Sequence, residues 1–169
     1  MKKEKSHISY VFLLFLLIFA VFLVYGTRQG FYWDDWSQLL VHEKYGDNVF
    51  WEYFSYDRPA SAWTHVLFFK ICGNSPLKWH LLFSCIRFAG ILLTYKLFIR
   101  LFPTRKRMCE LSGVFLAVIP LFTQTNISIA YSQHFLDYLL FIASVDLLLV
   151  SATSTNKAIS FISGFFLLH

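Results

Sequence analysis

The sequence predicts an all-α, polytopic transmembrane fold. It has about four complete spans, an incomplete fifth, and juxtamembrane helices in the first outer loop. Three observations carry this. Of 169 residues, 57% are hydrophobic and only 15% charged, whereas soluble domains average about 25% charged. The apolar residues gather into long runs. The basic residues cluster at Lys2, Lys3 and Lys5 and again at Arg105–Arg107, with an acidic stretch between them. Such a chain buries more apolar surface than ordering it costs, so disorder is excluded. The three cysteines (Cys72, Cys85, Cys109) are odd in number and widely spaced, which excludes a disulfide framework.

The first span covers residues 8–25, with one serine and no charge. At 1.5 Å per residue it reaches about 27 Å, close to the hydrocarbon thickness. A secretory signal also has a basic start and an apolar middle. This run is longer than a usual signal core, and Val24-Tyr25-Gly26-Thr27-Arg28 offers no small-residue cleavage site, so a retained span is expected. The second span, 77–102, carries Arg87, Lys96 and Arg100 and is therefore not bathed in lipid all round. The third, 110–123, lies between Arg105-Lys106-Arg107 and a polar stretch. The fourth, 134–151, carries Asp137 and Asp146. The fifth, 158–169, breaks off in an apolar run at His169. The whole reads as one membrane domain, 1–169, with its remaining helices expected from a longer product or another chain.

Orientation follows from the basic clusters, which favour the cytoplasm. With the N-terminus inside, loop 26–76 lies outside, Arg105–Arg107 inside, Gln124–Gln133 outside and Lys157 inside. The expected location is a bacterial-type plasma membrane. The segment 61–72 is too short to cross. Trp63, Val66, Leu67 and Phe68 set against Ser61, Thr64 and Lys70 read as a helix lying in the outer interface.

Loop 26–76 holds six of the ten acidic residues, and all five tryptophans fall in it or just beyond. Most suit an interfacial aromatic belt, and Glu43, Lys44 and Asp47 suit a solvated helix face. Tyr32-Trp33-Asp34-Asp35-Trp36 calls for more. Two adjacent carboxylates just past a membrane exit cost energy when desolvated. Such a carboxylate serves as general base to a hydroxyl, or it holds a divalent metal such as Mg or Mn. Trp33 and Trp36 beside it suit stacking on a sugar ring. The plain alternative is a solvated loop with interface tryptophans. In Asp57-Arg58-Pro59, Pro59 suits a first helical turn and Asp57 a cap. Arg58 is either a surface residue or a phosphate ligand.

Ionisable groups inside the membrane are functional candidates. Arg87 sits near the middle of its span. Asp146 is expected to pair with Arg87 or Lys96. Lys96 and Arg100 are near the inner end and can snorkel. His134 and Asp137, at i and i+3, share a helical face at the level of the outer loop. They form a second polar cluster able to face the first. Asn126-Ile127-Ser128 matches a glycosylation sequon. No nucleotide loop, zinc-protease, hydrolase or CxxC signature is present, and no solvent-facing basic patch points to nucleic acid.

These residues, in this order relative to the spans, resemble the N-terminal part of the GT-C superfamily of integral-membrane glycosyltransferases. The likeness is carried by Tyr32-Trp33-Asp34-Asp35-Trp36, Asp57-Arg58-Pro59-Ala60-Ser61-Ala62-Trp63, Asn74-Ser75-Pro76-Leu77-Lys78-Trp79-His80 and Ile127–Phe135. The last stretch looks like one seen in uncharacterised bacterial members. The resemblance implies transfer of a sugar from a polyprenyl-phosphate-linked donor to an acceptor hydroxyl at the outer membrane face, with inversion at the anomeric carbon. Asp34 or Asp35 would activate the acceptor, with a divalent metal near it in some members. Arg58, with His134, would meet the donor phosphate. Members are several times longer. Two other readings stand beside this one: a non-enzymatic membrane protein (a transporter subunit or lipid-carrier partner, suggested by Arg87, Lys96 and Asp146) and an inactive truncated product.

Overall fold

The computed structural model describes residues 2–119 and 127–153, all helix, turn or coil. The helices are α1 (Lys2–Val21), continued by a π turn at Phe22–Gly26, then α2 (Asp34–Tyr45), α3 (Phe50–Tyr53), α4 (Ala62–Cys72), α5 (Pro76–Leu101), α6 (Lys106–Val118) and α7 (Ser128–Thr153). Short 3-10 turns at Asp47–Val49 and Pro59–Ser61 precede α3 and α4. No strand occurs among the described residues.

Three helices are long and apolar enough to cross a membrane: Ser9–Gly26, Pro76–Leu101 and Ser128–Ala152. In hydrocarbon every backbone N–H and C=O must pair internally, which long helices achieve. Pro76 opens α5, at a position where its missing N–H costs nothing. The expected first, second and fourth spans are therefore found, the fourth starting six residues earlier than its expected bound of 134.

The expected third span is not found among the described residues. α6 has 13 residues, about 20 Å at 1.5 Å each, too short to cross. It stops at Val118 because Ile119 turns extended (φ −61°, ψ 126°). The reason is local: Pro120 follows, and a proline pushes the preceding residue out of the helical region. Positions 120–123 of that expected span, Asn126 of the sequon and the expected fifth span lie outside the described residues.

The chain divides into two compact units. One comprises Met1–Ile18, Ile86–Ile119 and Phe135–His169, the other Phe19–Cys85 and Pro120–His134. In the first, α1 buries Tyr10, Leu14 and Ile18, one face at i, i+4 and i+8. The Tyr10 hydroxyl donates to the Glu110 carbonyl at 2.8 Å, and its ring lies 4.4 Å from that of Tyr95. Gly113 makes this approach possible, since any Cβ there would overlap the Tyr10 hydroxyl. Thr94 and Tyr138 share a hydroxyl–hydroxyl hydrogen bond between α5 and α7.

In the second unit, α3 and α4 close over an aromatic core. Phe50 stacks on Phe69 at 5.1 Å, and Phe69 meets Trp79 edge-on at 4.9 Å. Trp79 is fully buried and its indole N–H donates to the Gly73 carbonyl at 2.8 Å. α2 and α4 end on Gly46 (φ +78°) and Gly73 (φ +52°), where only glycine escapes the Cβ penalty of left-handed backbone. The stretch 26–76 is thus largely a packed helical unit. Within it, α4 confirms the expected short helix, but with a different polar face. Ser61 and Thr64 point inward and are buried, and Trp63 and Leu67 are exposed. The buried hydroxyls are satisfied along the chain: Ser61 Oγ donates to the Arg58 carbonyl and Thr64 Oγ1 to the Ser61 carbonyl.

Candidate functional site

The two adjacent carboxylates part company. α2 begins at Asp34, so Asp34 and Asp35 occupy its first turn, where the helix dipole favours negative charge. At about 100° per residue, neighbours on a helix point in different directions. Asp34 is exposed, and Asp35 is 0% exposed. The Asp35 carboxylate meets the start of α7. Oδ1 accepts the backbone N–H groups of Ile129 (2.8 Å) and Ala130 (3.0 Å), and Oδ2 that of Ser128 (2.9 Å). A helix leaves its first N–H groups without partners. Ile127, just before Ser128, has no side-chain acceptor to cap them. A carboxylate 93 residues away in sequence supplies the cap. Burial pushes the Asp35 carboxyl up to about 6, against the pull of the N–H groups of Ala130, Ile129 and Ser128.

This contact joins the two polar stretches singled out in the sequence, the acidic pair and 128–134. Trp33 precedes Asp34 with φ +43° and ψ −111°, a backbone region costly for a bulky side chain, and its ring is 82% exposed. Trp36 is also exposed, with its ring edge-on to Phe31 at 6.0 Å. The site therefore presents an exposed carboxylate between two exposed indoles.

A second polar link lies behind α2. His65 on α4 and Gln38 on α2 are buried, with Nε2 of His65 2.9 Å from Oε1 of Gln38. With the amide assigned this way, Nε2–H donates to Gln38 and Nδ1 is left to accept. Nδ1 lies 3.3 Å from the Thr64 hydroxyl. Burial, with a smaller push from the charges of Arg58 and His134, lowers His65 to about 4 against the pull of the Ser61 carbonyl. Arg58 and His134 both belong to this unit. Both are exposed. Arg58 Nε is 2.9 Å from the Asp57 carboxylate, and its guanidinium lies over the Phe54 ring at 5.2 Å. Asp57 is consequently no helix cap: Arg58 occupies the cap position of the turn at Pro59 and makes no side-chain cap bond. Gln133, next to His134, is 1% exposed, and its amide finds no hydrogen-bond partner among the described residues.

Asp137, also exposed, belongs to the other unit. There Asp146 is buried and pairs with Arg100 at 2.6 Å and Lys96 at 3.6 Å. The expected pairing with Lys96 is found, and the one with Arg87 is not. The stronger partner is Arg100, one further turn along α5 from Lys96 (i, i+4). Arg87 is 8% exposed and donates from Nη2 to the Ala117 carbonyl at 2.8 Å, with Nε finding no partner among the described residues. It caps the end of α6, where the last carbonyls lack intrahelical partners and the dipole favours a cation.

The expected divalent metal would look to Asp34 and Asp35. Both Asp35 oxygens are committed to backbone N–H groups, which leaves Asp34 alone. No group of three or more His, Cys, Asp or Glu able to hold a metal occurs among the described residues. Sequence reasoning missed Gln38 and His65. A readable signal was Asp35, Gln38 and His42, spaced i, i+3 and i+7 on one face of a loop helix. No family model, curated protein or solved structure matches the chain.

Proposed function

We propose that this chain carries the first-loop acidic site of a membrane glycosyltransferase of the GT-C type. It would move a sugar from a polyprenyl-phosphate carrier to an acceptor hydroxyl at the outer membrane face. The observation that carries this reading is the division of labour in the acidic pair. Asp35 is consumed as the cap of α7, and Asp34 is left exposed beside a strained, exposed Trp33. Strained backbone gathers where function over-determines geometry.

In the proposed step, the Asp34 carboxylate removes the proton of the acceptor hydroxyl. That oxygen attacks the anomeric carbon from the face opposite the phosphate. The new glycosidic C–O bond forms as the old C–O bond to phosphate breaks, and the polyprenyl phosphate leaves with the electron pair. Trp33 and Trp36 give the sugar ring apolar faces to stack on. Arg58 and His134 offer N–H donors to the phosphate oxygens, and the guanidinium fork matches that geometry. Asp35 acts through position, holding the start of α7 against α2.

The test is sugar transfer from a polyprenyl-phosphate-linked donor in membranes containing the protein. Asp34→Asn is expected to abolish transfer while leaving the protein folded. Transfer retained at wild-type rate by Asp34→Asn would overturn the reading.

A further inference from the structure

A groove of about 330 Å³ lies between the end of α2 and α3. Val41 and Tyr45 line it from α2, one turn apart, and Val49, Glu52 and Tyr53 line it from the segment that follows. Tyr45 is the last residue of α2 and Asp34 the first, so the groove sits at the opposite end of the helix from the acidic pair. The sugar-transfer step makes no use of it. Its polar walls are open. Tyr45 is 61% and Tyr53 46% exposed. The Tyr45 ring meets no other aromatic ring among the described residues; its partner is the Lys44 ammonium, 5.0 Å from the ring centre. Glu52 meets Ser55 through its backbone carbonyl. Its carboxylate is exposed and makes no ion pair among the described residues.

These features share one sign. The face of an aromatic ring attracts a cation, and Lys44 shows that the Tyr45 ring takes one. A ring has two faces, and Lys44 occupies one. The negative end of the α2 dipole falls at Tyr45. From Glu43 to Glu52 the chain carries three acidic side chains against one lysine. We infer that this groove binds a small quaternary ammonium ion of the choline type, taken from water. Val41 and Val49 decide between kinds of ammonium. A primary ammonium is compact and strongly hydrated, and two valines offer nothing to replace the water it would lose. A methylated ammonium has no N–H to satisfy and presents methyl groups to the valines and the rings. The rim decides between a dissolved ion and a lipid headgroup. Glu43, Lys44, Asn48 and Glu52 are exposed and polar, and a phosphate tethered to the ammonium would be brought toward carboxylates of its own sign. The site stands whether or not the chain transfers sugars.

The test titrates the full chain, in a maltoside detergent, with choline chloride and reads binding by calorimetry. Two further probes run beside it: the neutral tert-butyl analogue of choline, and phosphocholine. The expected result is saturable choline binding, about tenfold tighter than that of the neutral analogue, with phosphocholine weaker than choline. Tyr45→Leu and Glu52→Gln should each weaken choline binding by about threefold or more. Tyr45→Phe keeps the ring and should bind as the natural chain does. Equal binding of the neutral analogue, or unchanged choline binding by Glu52→Gln, would overturn the assignment of a cation. Phosphocholine bound as tightly as choline would overturn the dissolved ion in favour of a lipid headgroup. Absence of saturable choline binding by the natural chain would overturn the site itself. The three probes on the natural chain give this comparison even where a variant fails to fold.

Discussion

Asp35 and Asp146 are both buried carboxylates, and they are satisfied by opposite means. Asp35 is neutralised by backbone, through three N–H groups at the start of α7. Asp146 is neutralised by side chains, Arg100 at 2.6 Å and Lys96 at 3.6 Å. Those cations are themselves partly to mostly open, with side-chain exposures of 36% and 61%, so they can turn elsewhere if the carboxylate is lost. The N–H groups cannot turn, because the helix fixes them. A carboxylate held by backbone is therefore harder to replace than one held by mobile cations.

The sharpest way to break that comparison is to truncate both. Asp35→Ala leaves three buried N–H groups unpaired and should destabilise by about 2–4 kcal/mol, from the cost of unsatisfied buried donors and lost caps. Asp146→Ala should cost about 1 kcal/mol, because its partners are partly exposed and screened. Thermal melts of both variants in one lipid or detergent system decide the order. If Asp146→Ala were the more damaging, the distinction between fixed and mobile partners would be wrong.

Acidity separates the polar groups of the α2–α4 unit in a second way. The Asp35 carboxyl sits at about 6 against an ordinary 3.8, so the folded state holds its proton more tightly. Its contribution to stability is complete below about 4 and is lost as pH rises through about 6. His65 sits at about 4 against an ordinary 6.5. Its contribution is present above about 6.5 and is lost as pH falls toward 4. The two slopes oppose each other between pH 4 and 6.5. Asp35→Asn should leave a protein whose stability rises with pH across that window, and His65→Gln one whose stability falls. Parallel slopes in the two variants would contradict the assigned directions.

The spans were legible because hydrocarbon demands long apolar helices, and 8–25, 77–102 and 134–151 each contain one. The acidic pair was legible as a candidate because adjacent carboxylates beside aromatics are costly. Its division was not, because the partner of Asp35 is backbone 93 residues away, and backbone carries no sequence signature. The inward polar face of α4 was misread for a related reason. Ser61 and Thr64 look solvent-seeking by composition, yet their hydroxyls are satisfied by carbonyls of their own chain. Likewise α6 stops at Val118 because Pro120 acts on Ile119, a single residue that outweighs the apolar run around it.

The smallest expected effect on stability belongs to Asp34→Asn. Asp34 touches none of the N–H groups that Asp35 caps, and its carboxylate is exposed. Its backbone carbonyl, which accepts the Ser37 hydroxyl at 2.8 Å, is untouched by the change. Asparagine also keeps a polar side chain in the first turn of α2 and loses only the charge–dipole attraction, worth about 0.3–1 kcal/mol at an exposed site. The melting transition should therefore move far less than for Asp35→Ala, although the two residues are adjacent. A large drop for Asp34→Asn would mean that the pair works as one unit, and the division between a capping carboxylate and a free one would fall with it.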